Sequence, residues 1–292
     1  MTPSKLRWSL AWTVLIVTGW SAPARAAPIT FSVGGSNQTS SIQATVDAFR
    51  GALGNPNNGN AAGQASGRRE INWDGGTATD GTPAVTPFTV FQNTRGATFT
   101  TPGSGLTQTP ITGGTVDIAP GLAGTQTSLS ALNATYAGTF STFSPNRLFV
   151  PLDSTITEGF FSVPGTGGTA PATVAGFGVA FTDVDTANLT SLQFFDTQGN
   201  SLGTFFAPTG TVPDGSLSFL GVIFTTERIA RVRITSGNTA LGATEGASVD
   251  VVAMDDFLYG EPRAIPEPAG LTLLGLGALA LGLLSRGRKR QA

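Results

Sequence analysis

The chain has no cysteine and no histidine in its 292 residues. Without cysteine there are no disulfides, so any exported fold must stand on its own core. Thiolate nucleophiles and thiolate metal sites are excluded too. Without histidine, the Ser-His-Asp arrangement and zinc sites built on imidazole are excluded. Lysine is almost absent, with only Lys5 and Lys289, one near each end. Tryptophan is nearly confined to the start: Trp8, Trp12 and Trp20 leave Trp73 as the only one in the body. The chemistry that survives is that of oxygen, namely carboxylate pairs and hard cations such as calcium.

The ends of the chain are patterned for delivery. Lys5 and Arg7 precede an apolar run over 8–20, and Ala24-Arg25-Ala26 offers the small residues of a cleavage site before Ala27. Residues 1–26 therefore read as a signal peptide, removed by signal peptidase. At the other end Pro266, Glu267 and Pro268 lead into an uncharged apolar stretch over 269–284, closed by Arg286, Arg288, Lys289 and Arg290. Sixteen residues at about 1.5 Å each reach about 24 Å, against a hydrocarbon core of about 30 Å. Such a segment spans as a single transmembrane helix with some thinning or snorkelling. The basic cluster is a stop that stays cytoplasmic, which leaves the body on the far side of the membrane.

A Pro-Glu-Pro motif, a Leu/Gly/Ala helix and a basic end, over 265–292, resemble the PEP-CTERM sorting signal of exopolysaccharide-producing Gram-negative bacteria. The resemblance implies an exosortase that recognises and removes the tail. It also implies passage through an inner-membrane intermediate to the cell surface or the extracellular, biofilm-type matrix.

The body between these signals is acidic. All 18 acidic residues fall in 27–268, against nine arginines and no lysine, a net charge of −9 by that difference. That balance argues against nucleic-acid binding, which needs clustered cations. Residues 27–87 are Gly- and Asn-rich, with helical spacing over 42–53 and a charged island, Gly67-Arg68-Arg69-Glu70-Ile71-Asn72-Trp73-Asp74-Gly75. Residues 88–264 read as short strands between turns. A hairpin is expected from 89–92 and 97–101, and strands over 136–143, 147–150, 156–163 and 174–182. A second hairpin joins 189–195 to 202–207 around Asp196-Thr197-Gln198-Gly199-Asn200, followed by strands over 217–225, 229–234 and 249–259. Strands at this spacing, rich in Phe, Val and Thr, predict an all-β body over 27–264, a β-sandwich of jelly-roll type. The run from Gly176 to Gly260 resembles secreted bacterial proteins with carbohydrate-binding-module-like sandwiches, which names an architecture rather than an activity.

Candidate sites follow from what is left. Asp183 and Asp185, and Asp255 and Asp256, sit at strand ends, where carboxylates and carbonyls can hold calcium; aspartate also caps turns there without any metal. Trp73 either stacks on a sugar face or is a buried anchor with its N–H bonded, the second fitting a chain so poor in aromatic platforms. A glycosidase needs two carboxylates across a cleft at about 5–10 Å; Glu158 with Asp183 is one such pair, though no spacing singles it out. The expected function is that of an exported, non-enzymatic surface or matrix protein. The alternatives are a glycan-binding module and, further off, a glycan-active hydrolase.

Overall fold

The computed structural model describes residues 26–74, 84–109, 117–118, 126–127, 129–130, 132–144, 147–225, 228–242 and 248–265. The expected signal peptide through Ala24, the motif Pro266–Glu267–Pro268, the helix 269–284 and the basic stop lie outside the described residues. Ala26 and Ala27 are exposed and precede the first strand. No helix among the described residues is long and apolar enough to cross a membrane.

The protein is all-β, with few helical segments. Its strands are β1 (Ile29–Gly34), β2 (Arg68–Ile71), β3 (Ala97–Thr100), β4 (Gly105–Gln108), β5 (Asp117–Ile118), β6 (Gln126–Thr127), β7 (Phe149–Leu152) and β8 (Ile156–Phe161). They continue with β9 (Ala172–Thr173), β10 (Gly176–Thr182), β11 (Ser191–Phe195), β12 (Ser201–Phe206), β13 (Leu217–Ile223), β14 (Arg231–Thr235), β15 (Ala253–Gly260) and β16 (Arg263–Ala264). A seven-stranded sheet runs β1-β13-β10-β15-β7-β4, with β2 also on β15; a five-stranded sheet runs β12-β11-β14-β8-β3. The two pack face to face. Phe177, Val179, Leu220, Val222, Phe257 and Tyr259 from the large sheet meet Leu192, Phe194, Val232, Ile234, Phe99 and Phe161 from the small one.

The outer face of the large sheet is covered as well. Helix α1 (Ser40–Leu53) has its buried positions Ile42, Val46 and Phe49 on one stripe, which docks on Ala180, Leu217, Phe219 and Leu258. Phe49 lies over Gly178 and Gly221, which are partners in register between β10 and β13. A Cβ on Gly221 would come within 2.7 Å of that ring, so only glycine lets the helix sit this close. A second cover comes from Leu129, Tyr136, Phe140, Leu241 and Val251, packed with Leu148 on Val150 of β7 and Ala253 of β15. Burial on both faces makes β10, β13 and β15 buried at every position. The small sheet keeps a wet face, on which Glu158 of β8 bridges Arg231 and Arg233 of β14 at 2.8 and 2.6 Å.

Two sequence expectations change. Residues 136–143 are not a strand. Asn133 accepts a hydrogen bond from the Thr135 N–H and starts a 3-10 turn, Ala134–Ala137; Tyr136 within it and Phe140 after it cover the sheet instead of joining it. The first hairpin is replaced by a helical turn, α2 (Gln92–Arg95), closed by Gly96 in the left-handed region, and Phe88 keeps only a single bridge to Phe99. The charged island, to which the sequence assigned no element, contributes a strand: its Arg68–Ile71 forms β2 against β15.

Candidate functional site

The site is organised by one irregularity in β15. Phe181 pairs with Met254 and Val179 with Phe257, so Asp255 and Asp256 together face Ala180. This is a β-bulge, with two residues opposite one. In a regular strand neighbouring side chains alternate between faces. Here Met254 and Phe257 both point to the inter-sheet core while Leu258 faces α1. The bulge therefore aims two consecutive aspartates at the covered outer face. It is also where the edge of β15 changes partner, from β7 at Met254 to β2 from Phe257 onward.

The charged island supplies the opposite wall. Trp73 is fully buried and stacks on Phe149 with centroids 3.7 Å apart; its indole N–H donates to the Asp255 carbonyl at 2.9 Å. It is the anchor that turns the chain, with φ 63°, and it has no free face for a sugar. Asp74 follows, accepting from the Arg147 backbone N–H at 3.0 Å and from Asn72 Nδ2 at 2.9 Å. Asp255, with no exposure, accepts from the Phe143 N–H at 2.6 Å. The Ser144 hydroxyl oxygen lies 2.6 Å from Asp256, 3.2 Å from Asp74 and 3.4 Å from Asp255.

One hydroxyl proton serves one of those three carboxyls, and the shortest contact assigns it to Asp256. Burial, then the neighbouring Asp256, pushes the Asp255 carboxyl well above the usual range, and burial raises Asp256 too. Asp255 therefore holds a proton that it shares with Asp256, as two buried acids this close must. The remaining charge is met by Arg50 of α1, which stands 3.5 Å from Asp256 and 3.0 Å from Glu70 of β2. Arg50, Asn57, Glu70, Asn72, Arg95, Ser144 and Asp256 line a cavity of about 320 Å³ above this pair.

The other two expected aspartates stand elsewhere, past the end of β10. Asp183 is buried, with φ 69°, and its carboxylate accepts from the Gly215 N–H at 3.2 Å. Burial, then the charges of Asp185, Asp214 and Asp250, pushes its carboxyl up to about 9. Asp250 accepts from the Asp185 and Thr186 N–H groups at 3.1 and 3.4 Å, which is turn-capping. The four aspartates thus divide into two pairs in separate places. Among the described residues no three acidic side chains are grouped so as to hold a metal ion. Glu158 lies on the small sheet, bound by two arginines, and its neighbours are not those of Asp183.

Glu70, Asp74, Arg50 and Ser144 were not singled out from sequence. The signal was present for the first two, in the density of charge around the body's single tryptophan. Arg50 and Ser144 carry no local mark, because tertiary packing alone brings them in. No protein-family model matches the chain, and no curated protein or solved structure matches it.

Proposed function

We propose that the chain is an exported, non-enzymatic surface or matrix protein: a jelly-roll-like sandwich delivered by a signal peptide and an exosortase-type sorting tail. Its cavity beside Asp256 takes a polyhydroxylated, glycan-like ligand. The observation that carries this reading is the lining of that cavity, where donors (Arg50, Arg95, Asn57, Asn72) alternate with acceptors (Glu70, Asp256, Ser144). Sugar hydroxyls both donate and accept, so a lining of both kinds suits them. Calcium enters only as a counter-ion for the Asp183–Asp185 corner, and no step of ligand binding depends on it.

The hydrolase reading has one observation in its favour. Glu70 and Asp256 lie 3.0 and 3.5 Å from one guanidinium nitrogen, hence no more than 6.5 Å apart. That upper bound reaches into the range of paired glycosidase carboxylates. Arg50 sits between them, however, and its guanidinium fills the gap that a scissile bond would need. Titrating the purified protein with neutral oligosaccharides separates the two. Saturable binding weakened by Asn72→Ala and Arg95→Gln, with no new reducing ends, supports the binding module. Reducing ends that vanish in Glu70→Gln would establish the hydrolase. Intact mass of surface-extracted protein tests delivery: a mature form retaining Arg286 to Arg290 would rule out removal of the tail.

A further inference from the structure

A second cavity, of about 240 Å³, lies on the other side of the island, lined by Gly54, Asn55, Ser66, Gly67, Arg228 and Arg263 among others. Two arginines meet there through one residue. Arg263 on β16 is the register partner of Thr173 on β9. Arg228 reaches the same Thr173 from the far side, with Nε 3.4 Å from its hydroxyl and a terminal nitrogen 3.4 Å from its carbonyl. Both contacts are at the outer limit for a hydrogen bond.

Neither guanidinium is ion-paired among the described residues. Arg50, Arg68, Arg69, Arg231 and Arg233 all contact a carboxylate within 3.0 Å. The one acid on the cavity wall, Glu261, is consumed. It takes both arms of Arg69, at 2.6 and 2.7 Å, together with Asn58 Nδ2 and the Gln64 N–H. Asn55 turns its carbonyl oxygen to Arg68, which leaves its amide N–H groups as the donors that remain. The polar lining left over is the Arg228 guanidinium, the Arg263 guanidinium, one arm of which donates to the Ala65 carbonyl, an amide NH₂ and the Ser66 hydroxyl.

We propose that this cavity is a binding site for a single oxyanion group, a carboxylate, sulfate or phosphate carried by a small molecule. Two fork-shaped donors lining one cavity match the geometry of such a group. Burial of its guanidinium first, and then the charge of Arg263, lowers the Arg228 pKa, and a bound anion offsets both, while each residue keeps exposed surface for the anion to reach. At about 30 Å³ per water the space equals roughly eight waters, enough for a small acid. The body's charge of −9 repels an extended polyanion, so the local pair selects one anionic group on a small carrier. The site is separate from the cavity beside Asp256 and stands whether or not that one binds sugar.

The test is calorimetric titration of the purified chain at low ionic strength. Inorganic phosphate, sulfate and a monomeric uronic acid are the probes, against sodium chloride at matched ionic strength. Saturable binding of at least one probe is expected, weakened at least tenfold by Arg228→Gln and by Arg263→Gln and unchanged by Arg95→Gln. Arg228→Lys keeps the charge but loses the fork, and is expected to weaken binding several-fold while folding normally. Binding equal in wild type and in the lysine variant, no binding beyond the chloride control, or binding of polyanions alone would each overturn the proposal.

Discussion

The two aspartate pairs answer the same problem, a carboxylate taken out of water, in opposite ways. At the β15 bulge, Asp255 and Asp256 have one shared proton, a backbone N–H, the Ser144 hydroxyl and the Arg50 guanidinium. Past the end of β10, Asp183 has, among the described residues, one backbone N–H and three acidic neighbours, with no cation in contact. The first corner is a satisfied network, costly to open, which fixes how the charged island and α1 seat on the sheet. The second is unsatisfied at neutral pH, and relieving it should stabilise the fold. Burial alone therefore does not sort a structural acid from a poised one; the partners do.

The largest expected effect comes from opening the satisfied corner. Asp255→Ala strips the acceptor from the Phe143 N–H and leaves Arg50, Asp74 and Asp256 out of balance. Loss of about 3–5 kcal/mol of stability is expected, the range for breaking a buried charged network. Asp255→Asn keeps an acceptor and the volume and should cost less than half as much. Urea unfolding at pH 7 checks both. Equal losses in the two variants would mean that shape, not hydrogen bonding, is what Asp255 provides.

The unsatisfied corner should respond with the opposite sign. The Asp183 carboxyl is raised from an ordinary 3.8 to about 9 in the folded protein. Its contribution is thus fully present below the unfolded value. Between about 4 and 9 the unfolded chain gives up the proton and the native chain keeps it, so stability falls as pH rises. Asp183→Asn removes that slope. At pH 8 it is expected to gain about 1–2 kcal/mol, or about 2–8 °C in melting temperature for a domain of this size. Near pH 4 the gain should vanish. Thermal melts across pH decide it, and a variant less stable than wild type at pH 8 would place a bound cation, not a proton, on Asp183.

Calcium sharpens the same contrast. If Asp183 and Asp185 are relieved by calcium, the ion raises the melting temperature by mass action and EDTA lowers it. The Asp255–Asp256 corner, already neutralised by Arg50 and its own proton, should not respond. Comparing wild type with Asp185→Asn and Asp256→Asn in calcium and in EDTA separates the corners. No change on metal-stripped protein leaves protonation of Asp183 as the account.

The contrast also marks how much could be read from the sequence. The second hairpin was legible because Asp196-Thr197-Gln198-Gly199-Asn200 carries its own turn chemistry. Asp196 accepts from the Gln198 and Asn200 N–H groups, and Gly199 takes the positive φ. Helix α1 was legible from the spacing of Ile42, Val46 and Phe49. Strand β2 was not, because Arg68, Arg69 and Glu70 lack the apolar alternation by which a covered strand shows itself. In the fold Arg69 is fully buried, paired with Glu261, which stands 192 positions away. Asp183 and Asp185 were legible as strand-end residues; Asp255 and Asp256, expected at a strand end too, lie inside β15, since a bulge that turns two neighbours to one face leaves no periodic trace. Residues 136–143 misled because an apolar run that covers a sheet has the same composition as one that joins it.

The smallest effect is the most specific test of why Asp183 is poised. Asp214 and Asp185 are exposed, yet both charges act on Asp183. Asp214→Asn removes one charge without touching the Gly215 N–H that Asp183 accepts. Solvent screens a charge at that position, so the gain at pH 8 should be only a few tenths of a kcal/mol, within the span of ordinary surface substitutions. Its signature is its salt dependence. The Debye length falls from about 30 Å at 0.01 M to about 3 Å at 1 M, so the gain should shrink steadily across that series. The gain from Asp183→Asn should persist, because burial, the larger cause, is not screened. Denaturation of the two single variants and their double in low and high salt measures both. A salt-independent gain from Asp214→Asn would mean that its side chain acts through loop conformation, and the electrostatic account of this corner would then rest on burial alone.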